Sequence, residues 1–176
     1  MARHELADAF EVLVIDDEVD VRDLMADYFT GHGFSVTRVS DGRAALVALE
    51  RYPQRYGLIL TDLNMPGVDG FAVLAEARRL APTSYVVIVT GYASLDSAIQ
   101  AVRAGAYDYL PKPFALGQID VILQRIANHV ALERASKRRA APAVASSTEP
   151  GSIEARLTAI EQSLVRIERL MRTEGR

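Results

Sequence analysis

Five short apolar runs recur along the chain, spaced by about two dozen residues: EVLVI (11–15), FSVTRV (34–39), GLILT (57–61), YVVIVT (85–90) and YDYL (107–110). Three of them are nearly continuous Val, Ile and Leu, the pattern of strands covered on both faces in a parallel sheet. The segments between them are periodic in the helical sense. Val21, Leu24, Met25 and Phe29 form one stripe, which Gly31 and Gly33 bring to an end. DGRAALVALERY opens on a capping Asp41 and stops before Pro53. GFAVLAEARRLAP stops before Pro82, and SLDSAIQAVRAGA runs from a capping Ser94 to Gly105. After Pro113, apolar Ile119, Ile122, Leu123, Ile126 and Val130 share one helix face, and the helix runs on toward Arg134. Strict alternation of strand and helix predicts an α/β fold with a doubly wound, five-stranded parallel sheet and right-handed crossovers.

The pattern also divides the chain. Residues 1–10 read as a lead, 11–138 as the α/β domain and 139–151 as a flexible linker, because AAPAVASSTEPGS is small, polar and Pro-containing. Residues 152–174 read as a separate helix. There Ile153, Leu157, Ile160, Leu164, Ile167 and Met171 are spaced alternately by four and three, a heptad seam. Such a short helix is marginal alone in water. The stripe therefore needs cover, either from a second chain or from its own domain, and the flexible linker favours another chain, including a second copy.

Composition narrows the functional classes. Of 176 residues, 49% are apolar, enough for a sizeable core, and the net charge of −3 argues against general nucleic-acid affinity. There is no cysteine, which removes disulfides and thiolate metal sites. The mixed-charge start MARHELADAFE has no signal-peptide character, and the apolar runs are too short to span a bilayer. A cytoplasmic protein is expected.

The chemistry lies at the strand ends. Ligands of open parallel sheets bind beyond the carboxyl ends of the strands, where strand order reverses. The first strand ends in Asp16-Asp17, the third in Asp62 and the fourth in Thr90, and Lys112 follows the fifth. Singly, each has an ordinary reading: helix-capping acids, a turn former before Pro66, a helix-entry hydroxyl, a solvated lysine. Together they would place three carboxylates, a hydroxyl and an ammonium at one sheet edge. Close carboxylates repel unless a hard cation joins them, and Mg²⁺ suits oxygen ligands and a phosphate. The turn at Pro66-Gly67 would expose Asp62 at its strand tip and aim a carbonyl near Asn64 at the same ion. A carboxylate so placed can attack phosphorus, while Lys112 and Thr90 receive the phosphoryl oxygens.

With Asp16-Asp17, TDLNMPGVDG, VIVTGYAS and YDYLPKPF in this order, the chain resembles the receiver domain of two-component response regulators, a flavodoxin-like fold, over roughly residues 10–128. The resemblance implies Asp62 as phosphoacceptor. It implies Mg²⁺ held by Asp17 directly, Asp16 through water, Asp62, and the Asn64 backbone carbonyl. Thr90 and Lys112 would bind the phosphoryl group, Thr90 and Tyr109 would form the switch, and Lys112-Pro113 would be cis. The implied phosphodonor is a sensor histidine kinase or a phosphotransfer protein, and the implied output is a downstream protein partner. No DNA-binding or catalytic output domain is recognisable in the tail, so neither a nucleic-acid nor a membrane partner is expected, and neither is turnover as an enzyme. Two competing readings remain. One is a constitutive docking scaffold. The other is a phosphohydrolase with an Asp nucleophile, which would need a general acid where this chain has Asn64.

Overall fold

The computed structural model describes the backbone of residues 3–139 and the side chains of residues 5–136. The heptad-spaced residues from Ile153 to Met171 lie outside the described residues. The elements in chain order are α1 (Arg3–Ala7), β1 (Glu11–Ile15), α2 (Val19–Gly31), β2 (Val36–Val39), α3 (Gly42–Arg51), β3 (Tyr56–Thr61), α4 (Gly70–Leu80), β4 (Tyr85–Thr90), α5 (Leu95–Arg103), β5 (Asp108–Pro111) and α6 (Leu116–Arg139). The strands form one parallel sheet in the order β2-β1-β3-β4-β5. From β1 the chain winds first to one side and then to the other. A crevice therefore opens between the carboxyl ends of β1 and β3.

The near-continuous apolar strands are buried on both faces. Val12, Val14, Leu58, Leu60, Val87 and Val89 pack with Met25 and Phe29 of α2 and with Ile119, Ile122, Leu123 and Ile126 of α6. The alternate residues Leu13, Ile15, Ile59 and Ile88 are equally buried and, by the two-residue period of a strand, point to the opposite side. Helix starts follow the capping chemistry. Asp41 and Asp69 accept hydrogen bonds from Ala44 N and Ala72 N, each at 2.8 Å. At α5, Ser94 and Ser97 bond reciprocally in a capping box.

Two expectations change. Leu24 was expected on the buried stripe of α2 but is 48% exposed, and Ala26 is buried beside Met25 and Phe29 instead. The buried face is centred between Met25 and Ala26, and Leu24 lies about 150° from that centre around the helix. The N-terminal lead is not separate from the core either. Its α1 buries Leu6 in the main cluster, and Phe10 packs against Phe34, ring centroids 6.1 Å apart. Phe10 also crosses Gly57 so closely that a Cβ there would lie 2.1 Å from its Cγ.

Candidate functional site

Each acidic side chain reaches the crevice because a strand ends beneath it. The amide of Asp62 donates to Ile15 O at 3.0 Å, so the parallel pairing of β1 and β3 runs to the residue where β3 stops. The chain then turns through Asn64 and Met65 to Gly67, whose φ of +83° is one that glycine adopts freely. Gly70 closes this loop at the start of α4. A Cβ at Gly70 would stand 2.1 Å from the carbonyl oxygen of Asp62, so only a bare backbone fits. At the other side of the crevice, the amide of Lys112 donates to Thr90 O at 2.8 Å, which fixes where the lysine leaves β5. The Lys112-Pro113 peptide is cis.

One carboxylate oxygen from each of Asp16, Asp17 and Asp62 lies within 4.8 Å of the others. Asp16 and Asp62 are buried and Asp17 is exposed. The Lys112 ammonium lies among them, 2.8 Å from Asp16 Oδ2, 3.2 Å from Asp62 Oδ2 and 2.8 Å from Glu18 Oε1. The contact with Asp16 is an ion pair without a well-directed hydrogen bond, so Asp16 Oδ2 is a buried acceptor with unused capacity. Asp62 Oδ1 accepts from Leu63 N at 2.6 Å and from Asn64 N at 3.4 Å. Thr90 is fully buried at the end of β4, and its Oγ1 accepts from Tyr92 N at 3.3 Å. Tyr109 turns inward, with its hydroxyl 2.8 Å from Ser97 Oγ of the α5 capping box.

Electrostatics follow from this burial. Desolvation raises the Asp16 carboxyl above the ordinary aspartate value, although Lys112 and the Glu18 amide pull it down. Burial works to lower Lys112, but its contacts with Asp16 and Glu18 and the attraction of Asp16 and Asp62 outweigh this and hold it above the ordinary lysine value. Burial raises the Tyr109 phenol, and the Ser97 hydrogen bond only partly offsets it. An all-oxygen donor set, two of its acids buried and one oxygen lacking a directed donor, fits a hard divalent cation such as Mg²⁺.

The comparison with known families decides what this arrangement belongs to. Residues 12–124 match the model of the response regulator receiver domain. The chain belongs to the response regulator receiver family. Related chains include the DNA-binding transcriptional regulator NtrC of Salmonella typhimurium, 34% identical over 119 residues, which are 67% of this chain and 25% of that protein. The nitrogen assimilation regulatory protein NtrX of Azorhizobium caulinodans is 30% identical over 170 residues, 96% of this chain and 36% of that protein. Among solved structures, the receiver domain of NtrX from Brucella abortus superposes with a TM-score of 0.60 at 33% identity, covering 65% of this chain and 96% of that one. The chain thus spans about a quarter to a third of the length of these curated relatives.

Of the residues expected in the receiver site, Asp16, Asp17, Asp62 and Lys112 come together directly. Thr90 lines the same edge through its strand end, and Asn64 lies exposed on the loop after Asp62. Three participants went unnoticed in the sequence. Glu18 binds Lys112, Arg22 donates to the Asp16 carbonyl at 2.7 Å, and Ser97 holds Tyr109. The signal for Ser97 was its place three residues after a capping Ser94. For Glu18 it was a third acid in a row at a helix start, where Glu is not a favoured cap.

The raised Asp16 pKa has a measurable consequence. The folded chain keeps this proton at pH values where the unfolded chain has released it. Ionising Asp16 therefore costs stability as pH rises from its ordinary value of 3.8 through the raised folded value. Without metal, Asp16→Asn should raise the thermal midpoint at neutral pH, since Lys112 keeps two other acids. The advantage should shrink as pH falls toward 3.8. Thermal unfolding in chelator across this range checks it, and a gain that grows on acidification would contradict the assignment.

Proposed function

We propose that Asp62 accepts a phosphoryl group from a phosphohistidine on a sensor histidine kinase or phosphotransfer protein, and that the modified domain switches its protein contacts. The observation that carries this reading is the convergence of three carboxylates on one buried lysine at the mouth between β1 and β3. An Asp62 oxygen forms a bond to phosphorus as the phosphorus–nitrogen bond breaks, and the departing imidazole keeps that electron pair. Mg²⁺, held by Asp16, Asp17, Asp62 and the Asn64 carbonyl, would supply positive charge against the acids and the incoming phosphoryl group. Lys112 and the Thr90 hydroxyl donate to phosphoryl oxygens, and the buried walls strengthen both interactions. Each chain takes up one group, so the domain acts as a switch rather than as a turnover enzyme. Asn64 stands where a phosphohydrolase would need a general acid, which weighs against that alternative.

Small phosphodonors test the acceptor directly. With Mg²⁺ and phosphoramidate, intact-mass measurement should find one added phosphoryl group, and Asp62→Ala should remove it. Equal labelling of the variant would overturn the assignment. An activity or partner affinity indifferent to Asp62→Ala would instead favour the constitutive scaffold.

The output reading rests on Thr90 and Tyr109. Thr90 moving toward the phosphoryl group would release space beside Tyr109, and phosphorylation shifts the equilibrium only as far as it prefers one arrangement. The face of α5, β5 and α6 should then differ most in amide exchange between bare and phosphorylated protein, around residues 90–110. Protection changes confined to α3 and α4 would rule this out.

The relatives are far longer than the matched region, and those named as DNA-binding regulators bring nucleic acid into view for such proteins. A DNA-linked output therefore stands beside the protein-contact output as a reading of such a domain. A cytoplasmic setting suits a kinase-fed switch, and no helix among the described residues is long and apolar enough to cross a membrane. The stripe from Ile153 to Met171 suits self-association as a short coiled coil. Leu164→Asp would charge that seam away from Asp62. Light scattering should show a larger species for the wild type than for this variant or a truncation after Ala145. Equal monomer masses would exclude the homo-oligomer.

A further inference from the structure

Lys112 is shared unequally. Its ammonium has three N–H donors and three carboxylates around it, with Asp16 and Glu18 at 2.8 Å and Asp62 farthest at 3.2 Å. Its directed hydrogen bonds go to Glu18 and Asp62, and the Asp16 carboxylate sits against its remaining side, so the ammonium is enclosed by acids before any phosphoryl group arrives. For Lys112 to take a phosphoryl oxygen, one present partner must let go. Asp16 is fully buried, so parting it from the neighbouring ammonium is costly. Asp62 is the reacting group itself. Glu18 is different, because its side chain is 61% exposed and returns to water at little cost.

The backbone gives a second, independent sign. Glu18 is the N-cap of α2, yet its side chain makes no capping bond. The helix start thereby forgoes the stabilisation that Asp, Ser or Asn would provide there. The Glu18 side chain leans away from its own helix and across the crevice to the end of β5, 94 residues further along the chain.

We infer that Glu18 is a positioning residue that competes with an incoming phosphoryl group for Lys112 and sets how readily the site takes that group. This rests on Asp62 being the acceptor. Before phosphorylation, Glu18 fills the outermost lysine donor and draws the ammonium toward the solvent side of the crevice. An incoming anionic phosphoryl group must displace it. After displacement Glu18 is solvated, and Lys112 bridges Asp16 and the phosphoryl oxygens. The latch acts through contact rather than through charge alone, so the length of the side chain matters as much as its sign.

Two variants separate these effects. Glu18→Gln removes the charge. Glu18→Asp keeps the charge, shortens the reach by one methylene, and offers α2 a good cap. Phosphorylation by phosphoramidate at saturating Mg²⁺ should be faster in both by about two- to fivefold, the range an exposed ion pair commands. The ammonium resonance of Lys112 in metal-free protein, followed by nitrogen-15 NMR, should shift and exchange faster in both. Glu18→Asp should also raise the thermal midpoint. If only Glu18→Gln is faster, Glu18 acts through its field and the latch is wrong. Unchanged or slower phosphorylation in both variants overturns it too, as does an unmoved Lys112 resonance. Wild-type protein that takes no label while Lys112 still responds to Glu18 would indict the acceptor assignment instead.

Discussion

The site is built around the repulsion of acids that the fold forces together. The parallel pairing of β1 and β3 ends both strands in aspartate at one level, and burial takes Asp16 and Asp62 out of water. Water would otherwise screen them, and in the drier crevice their mutual repulsion grows. Lys112 is the internal counterion, and it is delivered by a separate strand through the hydrogen bond of its amide to Thr90 O. Sheet topology, cation and acids are therefore one arrangement. Moving β5 away from β4 would leave buried negative charge without compensation, so the integrity of the sheet edge and the charge balance around Asp62 depend on the same contacts.

Much of this was readable in the chain. Near-continuous Val, Ile and Leu marked strands buried on both faces, and the acids were found by asking which residues follow those strands. Asp16, Asp17, Asp62 and Lys112 stood out because each sits at a strand end, a position that sequence spacing does define. Leu24 was misplaced because a helical stripe is wide enough in sequence to hold one residue too many, and only packing against the sheet selects between neighbours. Leu6 was passed over because a five-residue helix carries too little periodicity to announce itself, and Phe10 because a single apolar residue between that helix and β1 has no pattern at all. Glu18 and Ser97 were missed for another reason. Their partners lie on other elements, and contacts such as Glu18 with Lys112 leave no local mark.

The strand that carries Lys112 also carries the routes outward. Asp108 accepts from Tyr109 N at 2.8 Å and pairs with Arg125 of α6 at 2.6 Å. Tyr109 reaches Ser97 at the start of α5, and Lys112 follows Pro111 at the far end of the strand. Within five residues, Asp108, Tyr109 and Lys112 thus meet α6, α5 and the acidic crevice in turn. A small displacement of this edge strand is felt by both flanking helices, because each is tied to it by a specific polar contact as well as by packing.

Gly70 has a bearing on how such a domain can drift over generations. Its missing side chain is demanded by the carbonyl of Asp62, not by the carboxylate. Gly42 is held in the same way, since a Cβ there would stand 2.2 Å from Val68 O. A descendant that replaced the Asp62 side chain would keep the same backbone crossing and would still be confined to glycine at both places. The glycines are a record of the loop's path. Their retention in a degenerate copy would report an intact fold, and the acids alone would report whether the copy keeps the charged crevice.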